Sequence, residues 1–313
     1  MKTSIDIVIV NYYADDLTLS CLESIKACCE QSSSLNIVVH IVCDGEAPTL
    51  ENTFSNLSFQ VHCLMPKKRL GFGACCNLGV FNGKADYILL LNSDTLLEIN
   101  FLHKLSGFLD EQTNEISVGF ELLSLGSLSN VVHNRKFPTR QSVIYTVLGK
   151  KAQLDIAPEE LPIYNGEIEG SVDQVIGAVW LISRTAFERV KGFDERFFVY
   201  YEDVDFSLRL KKDGVSSFYS KVASVYHAEN GTSSKFPVES LAFNIEARFI
   251  YSLIHFGVLF AYFFLMCAVF IEYPLRLLKA LFFEKSWTSF KNHLKSIKLT
   301  FARLPIVYRR FHK

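Results

Sequence analysis

The sequence lacks a large net charge: 32 Lys and Arg stand against 33 Asp and Glu, for a formal charge of −1. The whole-chain balance therefore gives no argument for nucleic acid, and no nucleic-acid partner is expected. It also lacks the composition of a disordered chain, because apolar residues reach 49 % and charged ones only 21 % of 313 residues. That length buries a sizeable core without staples. The eight cysteines include no C-x-x-C pair, and Cys28-Cys29 and Cys75-Cys76 are adjacent, which is poor geometry for zinc. They read as reduced, packed thiols of a cytosolic protein. No signal peptide is expected, since Met1-Lys2-Thr3-Ser4 leads straight into a strand-like run. There is no internal repeat.

What charge there is lies unevenly. After Ile271 the chain carries ten basic residues and two acidic ones, a tail of +8 on a body of −9. An acidic body with a basic tail points to an anionic partner for the tail.

Strand-like runs alternate with helical ones. Ile5–Val10, Ile37–Cys43, Gln60–Leu64 and Tyr87–Leu91 read as strands, and Asp15–Glu30, Gly71–Phe81 and Phe101–Leu109 as helices. That alternation predicts an α/β fold with a mostly parallel central sheet. Residues 122–172 read as a long insertion or loop over the rim. Val175–Ile182 reads as a further buried strand, Thr185–Lys191 and Asp203–Lys212 as helices, and Ser216–Tyr219 and Ala223–Tyr226 as short strands. In open sheets of this kind ligands bind beyond the carboxyl ends of the strands. Asn11, Asp44 and Asp94 each follow a strand and so share one rim.

Three features carry chemistry. Leu89-Leu90-Leu91-Asn92-Ser93-Asp94-Thr95 delivers a carboxylate at the end of an apolar strand, where it either holds a divalent cation that clamps a diphosphate or caps the next helix. Gly192-Phe193-Asp194-Glu195-Arg196-Phe197-Phe198 leads to Tyr200-Tyr201-Glu202-Asp203-Val204-Asp205. Repulsion among Glu202, Asp203 and Asp205, with partial burial, would raise one pKa and suit a general base. Acids also favour a helix N-terminus, which accounts for one or two of them. His227 closes a strand and gains meaning only with Asp94 and Asp203 as companions.

In this order the three features resemble the family 2 glycosyltransferases of bacterial surface-polysaccharide assembly, in particular the rhamnosyltransferase-like branch. The matching stretches are Ile7-Val8-Ile9-Val10-Asn11-Tyr12, Leu70-Gly71-Phe72-Gly73 with Asn77 and Gly79, Leu91-Asn92-Ser93-Asp94-Thr95, the block from Gly177 to Gly214, and His227. Together they cover roughly residues 5–232. The resemblance implies the nucleotide-diphospho-sugar fold called GT-A over residues 1–235. It implies Asp94 and His227 as ligands of Mg²⁺ or Mn²⁺, and Asp203 as catalytic base. Asn11, Tyr12, Asp44, Arg69, Gly71 and Asn92 are expected at the nucleotide-sugar donor, and Glu202 and Trp180 at a lipid-linked saccharide acceptor. An inverting transfer needs one base and one cation, and no protein nucleophile.

The chain departs from the family pattern in three places. Gly45-Glu46-Ala47 follows Asp44 where Asn-x-Ser is usual, Arg69 preceded by Lys67 and Lys68 replaces an Asn, and the metal motif is Asn92-Ser93-Asp94 rather than two Asp separated by one residue. The first two bear on nucleotide recognition, and Arg69 supplies positive charge near the diphosphate. A dinucleotide-binding oxidoreductase is the rival: Gly71-Phe72-Gly73 begins its fingerprint, but Cys76 takes the third glycine's place and the turn follows the third strand. A catalytically inactive scaffold is a second rival, opposed by the joint presence of Asp94, Asp203 and His227.

Phe249–Ile271 holds 23 residues without Asp, Glu, Lys or Arg, enough to span a bilayer. A span would put the basic tail on the far side, against the positive-inside tendency. A re-entrant hairpin turning near Gly257, or an in-plane helix, removes that conflict. Trp287, Phe290, Leu294, Ile297, Phe301 and Leu304 follow at steps of 3 and 4, with Lys291, Lys295 and Lys298 between them. This predicts a basic amphipathic helix at an anionic membrane surface, or one packed on the catalytic domain. Residues 236–313 are thus expected to associate with the cytoplasmic face of the plasma membrane.

Overall fold

The computed structural model describes residues 2–31, 34–46, 50, 57–124, 136–148, 169–227 and 235–312. The chain divides into two compact units. The first comprises residues 1–136, 163–195 and 203–232, and the second 137–162, 196–202 and 233–313. The second unit therefore takes in two inserted segments besides the expected residues 236–313.

The first unit is a sheet covered on both faces. Its strands are β1 (Ser4–Asn11), β2 (Asn36–Cys43), β3 (Gln60–Leu64), β4 (Tyr87–Asn92), β5 (Thr95–Leu97), β6 (Ser117–Ser124), β7 (Gly170–Val172), β8 (Val179–Ser183) and β9 (Ser217–His227). The order is β3-β2-β1-β4-β8-β6-β9-β5, with β7 also paired to β9. β3, β2, β1 and β4 run parallel, as the alternation with helices predicts. β8 then runs antiparallel to β4 and β6, and β9 runs parallel to β6 and antiparallel to β5 and β7, so the sheet is mixed beyond β4.

β1 is apolar on both faces apart from Asp6, because both its faces are buried. Ile5, Ile7 and Ile9 point to one side, into a core with Cys21, Leu22 and Ile25 of α1 (Asp15–Gln31) and Phe101 and Leu105 of α3 (Phe101–Asp110). Val8 and Val10 point to the other, against Cys76 and Val80 of α2 (Phe72–Asn82). A Cβ on Gly79 would come within 2.5 Å of Val8, so this glycine lets α2 lie close on β1. All eight cysteines are free thiols, and Cys21, Cys28, Cys43, Cys75 and Cys76 are buried.

Asp6 breaks the apolar run of β1 and is buried too. It accepts hydrogen bonds from the Ala85 N–H at 2.8 Å and from Arg184 at 2.7 Å, and lies 3.1 Å from His40 Nε2. A buried carboxylate tolerates removal from water only with such partners.

Several expected elements differ in detail. The strand expected over Val175–Ile182 is Val179–Ser183, because the chain turns at Gly177-Ala178. The helix expected at Thr185–Lys191 is α5, Arg184–Arg189. Ser216–Tyr219 and Ala223–Tyr226 are one strand, β9, whose pairing to β6 shifts register between Phe120 and Glu121. Of the loop expected over 122–172, residues 125–135 and 149–168 lie outside the described residues. The rest includes the end of β6 and a short helix, α4 (Arg140–Tyr145).

In the second unit, the apolar run Phe249–Ile271 is not one helix. α7 (Pro237–His255) ends with Phe249, Ile250, Tyr251 and Ser252 buried, and the chain turns at Gly257, where φ is 93°. A new helix, α8 (Val258–Phe283), follows, with π-type turns at Ala268–Glu272 and Lys279–Phe283. Pro274 has no N–H to offer the preceding turn, and the first π turn sits just before it. α9 (Trp287–Phe311) buries Ser296, Thr300 and Val307. It is tied to α7 by Ser296 donating to the Val238 carbonyl and by Arg303 and Arg310 pairing with Glu246. Trp287, Leu294 and Phe301 of the expected apolar stripe are exposed, while Phe290, Ile297 and Leu304 are half-buried.

Candidate active site

The parallel order β2-β1-β4 brings Asn11, Asp44 and Asn92 to the same edge of the sheet. Beyond β4 the chain turns through Ser93-Asp94 into β5, whose antiparallel register pairs Thr95 with His227. That pairing sets His227 Nε2 3.3 Å from Asp94 Oδ1. The Asp94 side chain is 10 % exposed and that of His227 23 %.

Asp203 lies in the first turn of α6 (Glu202–Lys212). Its Oδ1 accepts from the Val204 N–H at 2.8 Å, and its Oδ2 lies 3.5 Å from the Gly177 N–H. Gly177 also links this carboxylate to the Asp94 turn, because the neighbouring Ala178 carbonyl accepts the Asn92 N–H at 2.9 Å. A single loop, Gly177-Ala178, therefore joins the candidate base to the strand that presents Asp94. The other acids of the cluster differ in use. Asp205 is buried and pairs with Arg209 at 2.7 Å, whereas Asp203 is only half-buried. Glu202 is 5 % exposed.

Two of the expected contact residues are buried. Trp180 is fully buried, its indole N–H donates to Ser117 Oγ, and its ring packs on Phe193 and Phe206. It is a core residue. Asn11 is 1 % exposed; its Oδ1 accepts from the Ala14 N–H and the Thr18 hydroxyl, and its amide donates to Asp15. It folds the β1–α1 turn.

Asp44 is also buried, and both its oxygens accept backbone hydrogens, from Leu70 at 2.6 Å and Gly71 at 3.0 Å. It clamps the loop that enters α2, where Gly71 has φ 92°. The same loop carries Arg69, whose guanidinium sits 4.4 Å above the Tyr12 ring, and Tyr12 meets Tyr13 edge-on at 4.8 Å. Asn92 is half-buried at the end of β4.

Sequence reasoning gave no role to three features found here. A Cβ on Gly45 would stand 3.0 Å from the Tyr13 ring, so the departure from Asn-x-Ser after Asp44 makes room for that tyrosine. Asn77 exchanges hydrogen bonds with the Phe193 backbone and donates to Glu195, fixing the start of the acidic block to α2. Tyr200 and Tyr201 precede α6 with φ of 71° and 65°. Left-handed tyrosines in succession have no signal in a sequence, but such strain gathers at functional segments.

The carboxylate and imidazole of Asp94 and His227 fit a divalent cation as part of its shell. An oxygen donor beside an imidazole nitrogen suits Mn²⁺ better than Mg²⁺, which prefers oxygen throughout. Among the described residues no group of three His, Cys, Asp or Glu side chains is gathered for a metal, so these two would leave most positions open to other ligands.

A doubly covered α/β sheet, parallel through four strands and mixed beyond, with its acids at the carboxyl edge, is the GT-A class of fold. A family model described as "Glycosyltransferase like family 2" matches residues 3–248, and the chain belongs to that family. It is 39 % identical over 83 residues to an N-acetylglucosaminyl-diphospho-decaprenol L-rhamnosyltransferase of Mycobacterium tuberculosis (strain ATCC 25618 / H37Rv). That match spans 26 % of this chain and only 27 % of the mycobacterial protein. It is 26 % identical over 191 residues to rhamnosyltransferase WbbL of Escherichia coli K12, covering 58 % and 69 % of the two chains. Among solved structures, residues 1–349 of S. aureus TarS superpose with a TM-score of 0.51 at 12 % identity, over 95 % of this chain and 89 % of that one. The mannosyltransferase PcManGT of Pyrobaculum calidifontis, in complex with GDP-Man and Mn²⁺, gives 0.51 at 11 % identity, over 95 % and 86 %. These structural likenesses concern the fold.

Proposed function

We propose that the chain is an inverting, metal-dependent glycosyltransferase. It moves a sugar, rhamnose first among the candidates, from a nucleoside-diphosphate donor to a lipid-linked saccharide during assembly of cell-surface polysaccharide at the cytoplasmic face of the membrane. The observation that carries this reading is the link, through Gly177-Ala178, between the Asp94–His227 pair and Asp203. The names of the mycobacterial and E. coli relatives support the sugar, and the decaprenol of the former supports a lipid-linked acceptor. The PcManGT complex supports a nucleotide sugar with Mn²⁺.

In this reading Asp203 takes the proton from the acceptor hydroxyl as its oxygen attacks the anomeric carbon. The carbon–oxygen bond to the diphosphate breaks in the same displacement, so the configuration inverts. The Val204 N–H holds one oxygen of Asp203 and the Gly177 N–H lies close to the other, fixing the carboxylate's direction before substrate arrives. Asp94 and His227 would hold Mg²⁺ or Mn²⁺, which would supply neutralising charge to the departing diphosphate. Tyr12 and Arg69 offer a flat cationic surface to the nucleotide, on a loop that Asp44 keeps in place.

A screen of nucleotide sugars by calorimetry, with and without Mn²⁺, tests the reading. Binding of at least one nucleoside-diphospho-sugar that depends on Mn²⁺ is expected. Binding of a nicotinamide dinucleotide in their place would overturn it.

A further inference from the structure

α8 is the one described helix long and apolar enough to cross a bilayer, with 26 residues and mean hydropathy 2.0 in its most apolar stretch. Its two faces differ. Leu259, Phe263, Met266, Phe270 and Phe282 are exposed, Leu259 by 90 %. Ala261, Phe264, Ala268, Glu272 and Ala280 on the other face are buried. That face packs on α7, where Arg248 reaches Glu272 with a two-pronged ion pair at 2.9 and 3.1 Å. Arg276 joins the same carboxylate at 2.8 Å. The tyrosine after Glu272 is also buried, its hydroxyl 2.6 Å from Thr300 of α9. α8 is thus a one-sided helix: its small residues and its only buried charge are turned to protein, and its large apolar residues are turned away.

We infer that α8 lies in the plane of an anionic bilayer surface, exposed face down, and does not cross the membrane. The inference deepens the membrane placement proposed above and rests on it. Three observations commit the face to lipid. First, α7 and α9 pack against α8 and carry Glu246, Arg248 and Arg303, so a crossing would draw these charges toward hydrocarbon. Second, α8, the turn after it and α9 expose cations with little opposing charge: Lys279, Lys285, Lys291, Lys295 and Lys298 are exposed, and Glu284 is the lone exposed acid among them. Exposed lysines extend toward lipid phosphates while their stems stay on apolar surface. A second copy of the chain would instead meet these cations with its own. Third, α9 repeats the pattern, exposing Trp287, Leu294, Phe301 and Tyr308 at steps of seven while its polar stripe packs on α7.

The depth of α8 separates the alternatives. The full chain has two tryptophans, of which Trp180 is fully buried and Trp287 is 60 % exposed. In a Trp287→Phe, Phe270→Trp chain the new indole sits at the middle of α8. Vesicles of phosphatidylcholine with phosphatidylglycerol, brominated near the headgroup or near the chain ends, then report its depth. An in-plane helix buries its apolar face about 5–10 Å below the headgroup boundary, so headgroup-proximal bromine should take the larger share of fluorescence. Stronger quenching by bromine at the chain ends means a crossing helix, and absence of quenching by either means no membrane contact; each overturns the inference. A Leu259→Asp, Phe263→Asp, Met266→Asp chain should lose co-sedimentation with these vesicles. Its side chains are exposed, so its melting temperature should hold. Unchanged co-sedimentation, or a wild-type chain that dimerises through this face in sedimentation equilibrium and leaves vesicles unbound, also contradicts the inference. The sugar-transfer reading is scored separately, with a detergent-dispersed acceptor and no vesicles.

Discussion

The carboxylate of Asp94 and the imidazole of His227 meet at 3.3 Å although one ends a β4 turn and the other the last strand of the sheet. The register of β5 on β9 produces this pair, so it is a property of the sheet and not of a flexible loop. Asp94→Ala should therefore leave the fold intact and abolish the Mn²⁺-dependent part of donor binding. Calorimetry with a nucleoside diphosphate, with and without Mn²⁺, measures it. Unchanged affinity in the variant would remove the cation from these residues.

Asp203 and Asp205 are two residues apart and should behave in opposite ways. Asp203→Asn is nearly isosteric and should retain donor binding while turnover drops about 100- to 10,000-fold. Asp205 is buried against Arg209, so Asp205→Asn should cost about 1.5–3 kcal/mol of stability. Turnover and urea midpoints of both variants decide. A rate loss below about tenfold for Asp203→Asn would move the base elsewhere.

Asp44 holds two backbone N–H groups of the loop that carries Arg69. Asp44→Ala strands both donors and should destabilise the chain by about 1–3 kcal/mol. It should also weaken donor binding while the Mn²⁺ dependence persists, because the Asp94–His227 pair is untouched. Denaturation and calorimetry on one preparation check both effects; donor affinity equal to wild type would show that the loop takes no part.

Asp6 contributes stability that is sensitive to acid. Burial pushes its carboxyl up, but hydrogen bonds from His40 and the Ala85 N–H, with the charges of His40 and Arg184, outweigh it and hold the group below its ordinary 3.8. A depressed folded value means that the contribution is fully present above about 3.8 and is lost as pH falls through the folded value. Asp6→Asn should be less stable than wild type at about pH 5 and lose less on going to about pH 3, as urea midpoints will show. Equal acid sensitivity in the two chains would place that sensitivity at another carboxylate.

The parallel half of the sheet was legible because β1, β2 and β4 are apolar runs that lead to Asn11, Asp44 and Asn92. The rest was hidden for identifiable reasons. Trp180 sits on a strand covered on both faces, and an apolar run does not reveal which of its residues meet a ligand. Asn11 and Asp44 are polar residues at the expected rim, but their hydrogen bonds go to backbone and neighbouring side chains, a choice that only the turn geometry discloses. A turn near Gly257 was among the sequence alternatives, but the apolar run does not show that it divides into a buried helix end and a helix with one exposed face.

The most direct test is the stereochemistry of one turnover. The full chain should be incubated with Mn²⁺, a nucleoside-diphospho-sugar identified by the binding screen and a polyprenyl-diphosphate-linked saccharide, with Asp203→Asn as control. The anomeric configuration of the product is read by NMR. Transfer with inverted configuration, lost in Asp203→Asn, is the expected result. Transfer with retained configuration, or equal transfer by Asp203→Asn, would contradict single displacement with Asp203 as the base.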